Sequence, residues 1–268
     1  MLIAAALAVG ALVGVLAGLT GVGGGVLMVP FLYLLYARLH VPESGATALA
    51  HATSLAVILP TAIRGLIGFR GKGVVNLRAA IPIAIVAAAT AAIMAPFAAR
   101  LPGHALRVGF GLFLLVVSVD LILRTRERDE AVPPGPMHVV GAACLGLPVG
   151  ALSAALGVGG GIPATMGMYY LLKLPFRIVA PTSLVVIGAT AAAGTVSYLF
   201  TPTGPLAFGW VVGHVDFGHA LPLALGSVLT APLGVRLNLG MPGFTLRRIF
   251  GGLLAVMGVF LVIENLLR

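Results

Sequence analysis

Apolar stretches long enough to cross a lipid bilayer follow one another from Leu2 to Leu267 with only short interruptions. A spanning helix needs about 20 apolar residues, so these runs use up the chain and leave no room for a water-soluble domain. They lack the alternation of a barrel strand, and in hydrocarbon the backbone must then satisfy itself as helices. The expectation is an all-α integral membrane protein. Composition agrees: 60% of residues are hydrophobic, 9% are charged, and the mean hydropathy is +1.13, far from an ordinary soluble domain.

A formal net charge of +9 raises the question of nucleic acid. No basic run exceeds a few residues and aromatics make up only 7%, so no nucleic-acid partner is expected. The cations lie between apolar stretches, as the positive-inside bias of membrane proteins predicts. The single cysteine, Cys144, rules out an intrachain disulfide framework and reads as a small packing residue. The N-terminus is apolar from Leu2 and lacks the basic start and small-residue cleavage site of a secretory signal, so it is expected to stay as a mature helix. No HExxH, no GxSxG, no paired acidic residues and no metal-ligand cluster occur. Neither an enzyme, a cofactor nor a metal is expected. The expected partners are the bilayer and a small solute, with the oligomeric state left open.

Gly, Pro and charge punctuation cuts the chain into ten apolar pieces, about 1–18, 23–37, 46–68, 79–99, 105–123, 138–156, 161–172, 178–200, 218–235 and 246–267. The two sets of five are copies. At a shift of 136, Gly10, Gly14, Gly18, Gly21, Gly23, Gly24 and Gly25 fall on Gly146, Gly150, Ala154, Gly157, Gly159, Gly160 and Gly161. At a shift of 129, ATSL at 52–55 meets PTSL at 181–184, and at a shift of 140 Pro82, Thr90, Pro102, Gly103, Leu106, Arg107 and Gly111 meet Pro222, Thr230, Pro242, Gly243, Leu246, Arg247 and Gly251. The expected organisation is a first transmembrane repeat over 1–123, a polar linker over 124–137 and a second repeat over 138–268.

If all ten pieces change sides, or if each Gly-bounded pair forms a re-entrant hairpin, one face carries eleven basic residues: Arg70, Lys72, Arg78, Arg124, Arg126, Arg128, Lys173, Arg177, Arg236, Arg247 and Arg248. The other face carries four, Arg38, Arg100, Arg107 and Arg268. Merging each Gly-bounded pair into one continuous span, for eight crossings, evens the count to eight against eight with Arg64 included. The positive-inside rule favours the uneven arrangement. Five crossings per copy then make the repeats inverted, as in many secondary transporters.

Each copy contains GVGGG, at 21–25 and 157–161, after a helix with small residues four apart. The stripes (Gly10, Gly14, Gly18; Gly146, Gly150, Ala154) suit close helix packing in lipid. Three successive glycines do not fit such a stripe and cost about 1 kcal/mol each inside a helix, so each pentapeptide reads as a helix break. A break at membrane depth is tolerated where it is buried in protein or lines a cavity, and the restarting helix offers free N–H groups at its positive dipole end. The plain alternative is a tight interhelical turn. Neither pentapeptide continues as G-x-G-x-x-G or as a P-loop. Candidate anion-binding groups are thus Gly23, Gly24, Gly25, Gly159, Gly160 and Gly161, with the hydroxyls of Thr53, Ser54, Thr182 and Ser183, whose alternative role is local back-bonding. His51 is a candidate proton carrier, and Arg64 a candidate counter-charge to an anion that could equally snorkel. Asp120 and Glu264 lie near segment ends and read as structural. Trp210, His214 and His219 read as interfacial anchors in a long loop.

The pattern GLTGVGGGVLMVP at 18–30, ALGVGGGIP at 155–163 and the paired ATSL and PTSL elements resembles the TauE/SafE family, also called the sulfite exporter family, over nearly the whole chain. The resemblance implies secondary transport of a small sulfur-containing anion, such as sulfite, sulfoacetate or another organosulfonate, across the inner (cytoplasmic) membrane, with proton coupling. A departure counts against a symmetric proton relay: Ala180 stands where the first copy has His51. An anion channel built on the same paired breaks is the alternative.

Overall fold

The structure, a computed structural model, describes residues 2–101, 103–123, 139–202 and 209–266. Among the described residues it is all-α apart from one two-stranded ribbon. The helices are α1 (Leu2–Thr20), α2 (Gly25–Arg38), α3 (Glu43–Phe69), α4 (Leu77–Ala98), α5 (Gly103–Leu123), α6 (Val139–Leu156), α7 (Gly161–Tyr170), α8 (Phe176–Phe200), α9 (Phe217–Gly240) and α10 (Gly243–Leu266). They follow the ten apolar pieces to within a few residues. The ribbon pairs β1 (Val211–Val212) antiparallel with β2 (Val215–Asp216) between α8 and α9. The expected linker at 124–137 lies outside the described residues, as do the side chains of Asp120 and Glu264.

Among the described residues, seven helices are long and apolar enough to cross a membrane. The two that follow GVGGG are shorter, with 14 residues in α2 and 10 in α7. At 1.5 Å per residue they reach about 21 and 15 Å, short of a hydrocarbon core of about 30 Å.

The long helices pack in pairs drawn from opposite sides of the 124–138 segment. α1 lies along α9, α6 along α4, α3 along α8 and α5 along α10. The small-residue stripes explain the first two pairs. A Cβ added at Gly10 would come within 2.9 Å of the Leu223 Cα, and one at Gly18 within 2.8 Å of the Val235 nitrogen. Across the other pair, a Cβ at Gly146 would stand 2.7 Å from the Ile83 carbonyl oxygen and one at Gly150 2.7 Å from the Thr90 Cβ. These separations leave backbone against backbone, the close approach that substitutes for hydrophobic association in lipid. Outward-facing Ile85, Val116, Val140 and Leu229 are exposed, as lipid contact requires. Cys144 is also exposed, so it does not fill the core as its size suggested. Arg247 is buried on α10 and donates to the Tyr169 hydroxyl at 3.2 Å. It therefore drops out of the loop charges, leaving ten against four.

Four helix starts position the interior. α3 and α8 begin after Pro42 and Pro175, whose fixed φ and missing N–H suit a helix entry. α4 and α9 are capped by side chains: Asn76 accepts from the Ala79 N–H at 3.1 Å and Asp216 from the His219 N–H at 3.3 Å.

Candidate functional site

After α1 ends at Thr20 the backbone turns left-handed, with φ of 69° at Gly21, 78° at Gly23 and 78° at Gly24. The second break repeats this at Gly157, Gly159 and Gly160, with φ of 67°, 71° and 69°. A residue with a Cβ loses about 1–2 kcal/mol at each such position, which is why these are glycines. Gly24 and Gly160 are the N-caps of α2 and α7. The pentapeptides are therefore helix breaks.

The two breaks touch, and they do so reciprocally. A Cβ at Gly25 would meet the Val158 Cα at 2.7 Å, and one at Gly161 would meet the Val22 carbonyl carbon at 2.8 Å. Ile58 of α3 and Ile187 of α8 lie against both breaks: a Cβ at Gly23 would stand 2.8 Å from Ile187 and 3.2 Å from Ile58, and one at Gly159 3.1 Å from Ile58 and 3.2 Å from Ile187. All six candidate glycines are buried. Within α2 the first described bonds run from Leu27 and Met28 N–H to the Gly24 carbonyl, and within α7 from Ala164 N–H to the Gly160 carbonyl. Helix geometry leaves the N–H groups of Gly25, Val26, Gly161 and Ile162 without intrahelical partners. Pro163 has no N–H to add. Two positive helix ends thus meet among valine and isoleucine side chains.

Each break also rests on the opposite TSL helix. Gly21 lies on the backbone of Ala180 and Gly157 on that of His51, where added Cβ atoms would come within 2.6 and 2.5 Å of the respective Cα atoms. Ser183 Oγ donates to the Gly21 carbonyl as well as to the Ala180 carbonyl at 2.7 Å. Its counterpart Ser54 is fully buried, and its Oγ has no partner among the described residues. The threonines face away from the breaks. Thr53 Oγ1 accepts from the Asp216 N–H at 3.0 Å and from the Tyr36 hydroxyl at 3.2 Å. Thr182 Oγ1 accepts from the Asn76 N–H at 3.0 Å and donates to the Ile178 carbonyl at 2.5 Å. The four hydroxyls therefore divide: Ser183 bonds the first break and Ser54 is buried with no partner among the described residues, while the threonines pin the starts of α9 and α4.

His51 is buried, with its Nε2 against the Tyr33 hydroxyl of α2. Arg64 is half-buried on α3, six residues and about 9 Å of helix rise beyond Ile58. Trp210 is exposed and stacks near Phe217 at 5.5 Å. His214, expected as an anchor, is buried in the ribbon turn instead, and its N–H donates to the Tyr198 carbonyl at 3.1 Å. Burial pulls its imidazole below the ordinary histidine range, opposed in part by the Thr201 and Tyr198 carbonyls. His219 belongs to the first turn of α9 rather than to a loop.

The interior residue that sequence reasoning missed is Asp216. It is fully buried. Its Oδ2 accepts from the Tyr36 hydroxyl at 3.2 Å and pairs with His219 Nδ1 at 2.6 Å. The signal was present as D-F-G-H, an acidic N-cap with histidine three residues on. Two further threonines equivalent at the 129 shift were also missed. Thr190 donates to the Gly159 carbonyl at 2.7 Å, and Thr61 pairs with Ser227 at 2.5 Å.

The family model for the sulfite exporter TauE/SafE group matches residues 6–261. A probable membrane transporter protein of Methanocaldococcus jannaschii is 26% identical over 261 residues, covering 95% of this chain and 93% of its own. One from Bacillus subtilis is 25% identical over 275 residues, covering 96% of each chain. One from Haemophilus influenzae is 26% identical over 257 residues, covering 94% of this chain and 95% of its own.

Proposed function

The chain belongs to the sulfite exporter TauE/SafE family of membrane transporters, and from that premise we propose that it is a secondary transporter of a small sulfur-containing anion such as sulfite or an organosulfonate. The observation that carries this reading is the contact between the two breaks, which brings the starts of α2 and α7 together in the protein interior. Unpaired N–H groups there attract an anion without a fixed positive charge. A site of dipoles releases its guest more readily than one built on arginine, which is what a carrier needs. The low-dielectric surroundings supplied by Val22, Val158, Ile58 and Ile187 strengthen the attraction.

The breaks are closed over by Ile58 and Ile187 in this conformation, so binding requires those side chains and their helices to move aside. The repeats supply the means. Reciprocal contacts such as Gly25 on Val158 and Gly161 on Val22 support two inverted copies, one rocking against the other to expose the site to alternate faces. The two short helices, α2 and α7, stand one in each half and accord with that arrangement. Ser183, which bonds the first break, and Ser54, buried with no partner among the described residues, complete the anion's coordination once the site opens.

The test is flux of labelled sulfite, thiosulfate, sulfoacetate and sulfate in proteoliposomes, with and without a proton gradient. Saturable counter-transport is expected, and an ohmic current would overturn the carrier. The Gly24→Val/Gly160→Val double variant is expected to insert but not to transport. Wild-type rates from that variant, correctly inserted, would move the site elsewhere.

A further inference from the structure

We propose that Asp216 and His219 form the protonation site that couples this transporter to a pH gradient, an inference that rests on the transport reading above. Asp216 does more than cap α9. At the 140 shift its counterpart is Asn76, which caps α4 and bonds through its N–H to Thr182 as Asp216 does to Thr53. His219 falls on Ala79. Capping and docking thus need neither a carboxylate nor an imidazole, and the second copy has both.

The geometry selects a proton over a metal ion. The groups around the carboxylate are donors: the Tyr36 hydroxyl at 3.2 Å, the His219 N–H at 3.3 Å and the His219 ring at 2.6 Å. They supply no ring of oxygen ligands of the kind sodium or calcium takes. At 2.6 Å the Nδ1 and Oδ2 atoms must share a proton, since two lone pairs at that distance repel. The side chains differ in access, 15% exposed for His219 and 1% for Asp216. His219 therefore takes a proton from water on its outer nitrogen and passes its Nδ1 proton to Oδ2. Both partners end neutral; the reverse transfer returns the proton.

Of the other titratable groups on the neighbouring elements, Tyr36 on α2 faces the pair and meets the His219 ring edge-on at 6.5 Å, while His51 on α3 is bonded to Tyr33 and His214 on the ribbon turn lies beside Tyr198 of α8. Through Thr53 the pair reaches α3, whose His51 packs against Gly157 of the second break. A change of charge at Asp216 is thereby felt at the helix that carries Ile58.

Two readouts on the full-length protein test this. The first is infrared titration in lipid: a protonated-carboxyl band is expected in the wild type on acidification, absent from Asp216→Asn and shifted in midpoint by His219→Gln. The second is sulfite accumulation driven by a pH gradient, referred to exchange at equal pH for each variant. One pH unit supplies about tenfold accumulation for one proton per anion. Asp216→Asn, with asparagine already tried by the fold at position 76, is expected to lose the accumulation. A carboxyl band that survives Asp216→Asn, gradient-driven accumulation by that variant, or loss confined to His51→Gln would each overturn the proposal. If the wild type moves no sulfur anion, the transport reading fails, and the infrared titration still decides whether the pair takes up a proton.

Discussion

Gly25→Ala and Gly161→Ala test whether the two helix breaks meet as described. Neither glycine has a left-handed φ, so each substitution adds only a methyl group. At Gly25 that methyl would stand 2.7 Å from the Val158 Cα and 2.9 Å from Ile58 Cδ1, and at Gly161 2.8 Å from the Val22 carbonyl carbon and 2.9 Å from Ile187 Cδ1. Carbon atoms rest at about 3.5–4.0 Å. The isoleucine tips can turn away, but the backbones cannot, and the breaks must separate by about 0.8 Å. Overpacking of this kind costs about 1–3 kcal/mol. The same separation accommodates both methyls, so the double variant should cost about as much as the worse single one, a coupling of about 1–3 kcal/mol against the ~0.5 kcal/mol scatter of independent sites. The assay is equilibrium unfolding in mixed detergent micelles, followed by circular dichroism. Gly252→Ala, where an added Cβ meets nothing within 4 Å, serves as the neutral control. Strict additivity of the two costs would refute the contact, and single variants as stable as Gly252→Ala would refute the crowding.

Thr53→Val keeps the shape but strands the buried Asp216 N–H, and should cost about 1–3 kcal/mol, whereas Ser54→Ala removes an oxygen with no described partner and should cost little. The reverse order in the same unfolding assay would contradict the bonding pattern. His214 carries a lowered pKa, so the native state binds fewer protons at that site than the unfolded chain. Stability is full above the unfolded value of 6.5 and falls as pH drops through it toward the native value. Melting curves between about pH 7 and 5 should show a decline that His214→Gln reduces, and an unchanged profile would remove His214 as its source.

Much of this was legible in the sequence because membranes permit few solutions. Apolar length set the helices, and the helix breaks followed from three glycines that no packing stripe explains. The stripes themselves predicted close approach, but not their partners. Nothing in Gly10, Gly14 and Gly18 says that α9 rather than α6 lies against them, because surface complementarity between distant segments has no local signature. The hydroxyls show the same limit. Periodicity located Thr53 and Ser54 on one helix, yet adjacent residues point about 100° apart, and one reaches the ribbon while the other turns inward. Asp216 was hidden by its flanks: Trp210, His214 and His219 made the segment look like an exposed loop, whereas the ribbon folds Asp216 under α3.

The crossed arrangement bears on how the proposed carrier would move. Gly21 rests on Ala180 and Ser183, Gly157 on His51, Asn76 on Thr182 and Asp216 on Thr53. In each case a segment on one side of residues 124–138 is held by a helix from the other side. A rocking motion of one copy against the other therefore loads all four contacts together, instead of one gate at a time. Two of them, at Gly21 and Asn76, hold no titratable side chain, and a third sets Gly157 against His51. The fourth contains the carboxylate and imidazole of Asp216 and His219. A device that lets protons bias a two-state movement needs a titratable group at an interface that both states share but hold differently; of these four contacts the Gly157 one brings in His51 alone, whereas the Asp216 one sets a carboxylate against an imidazole.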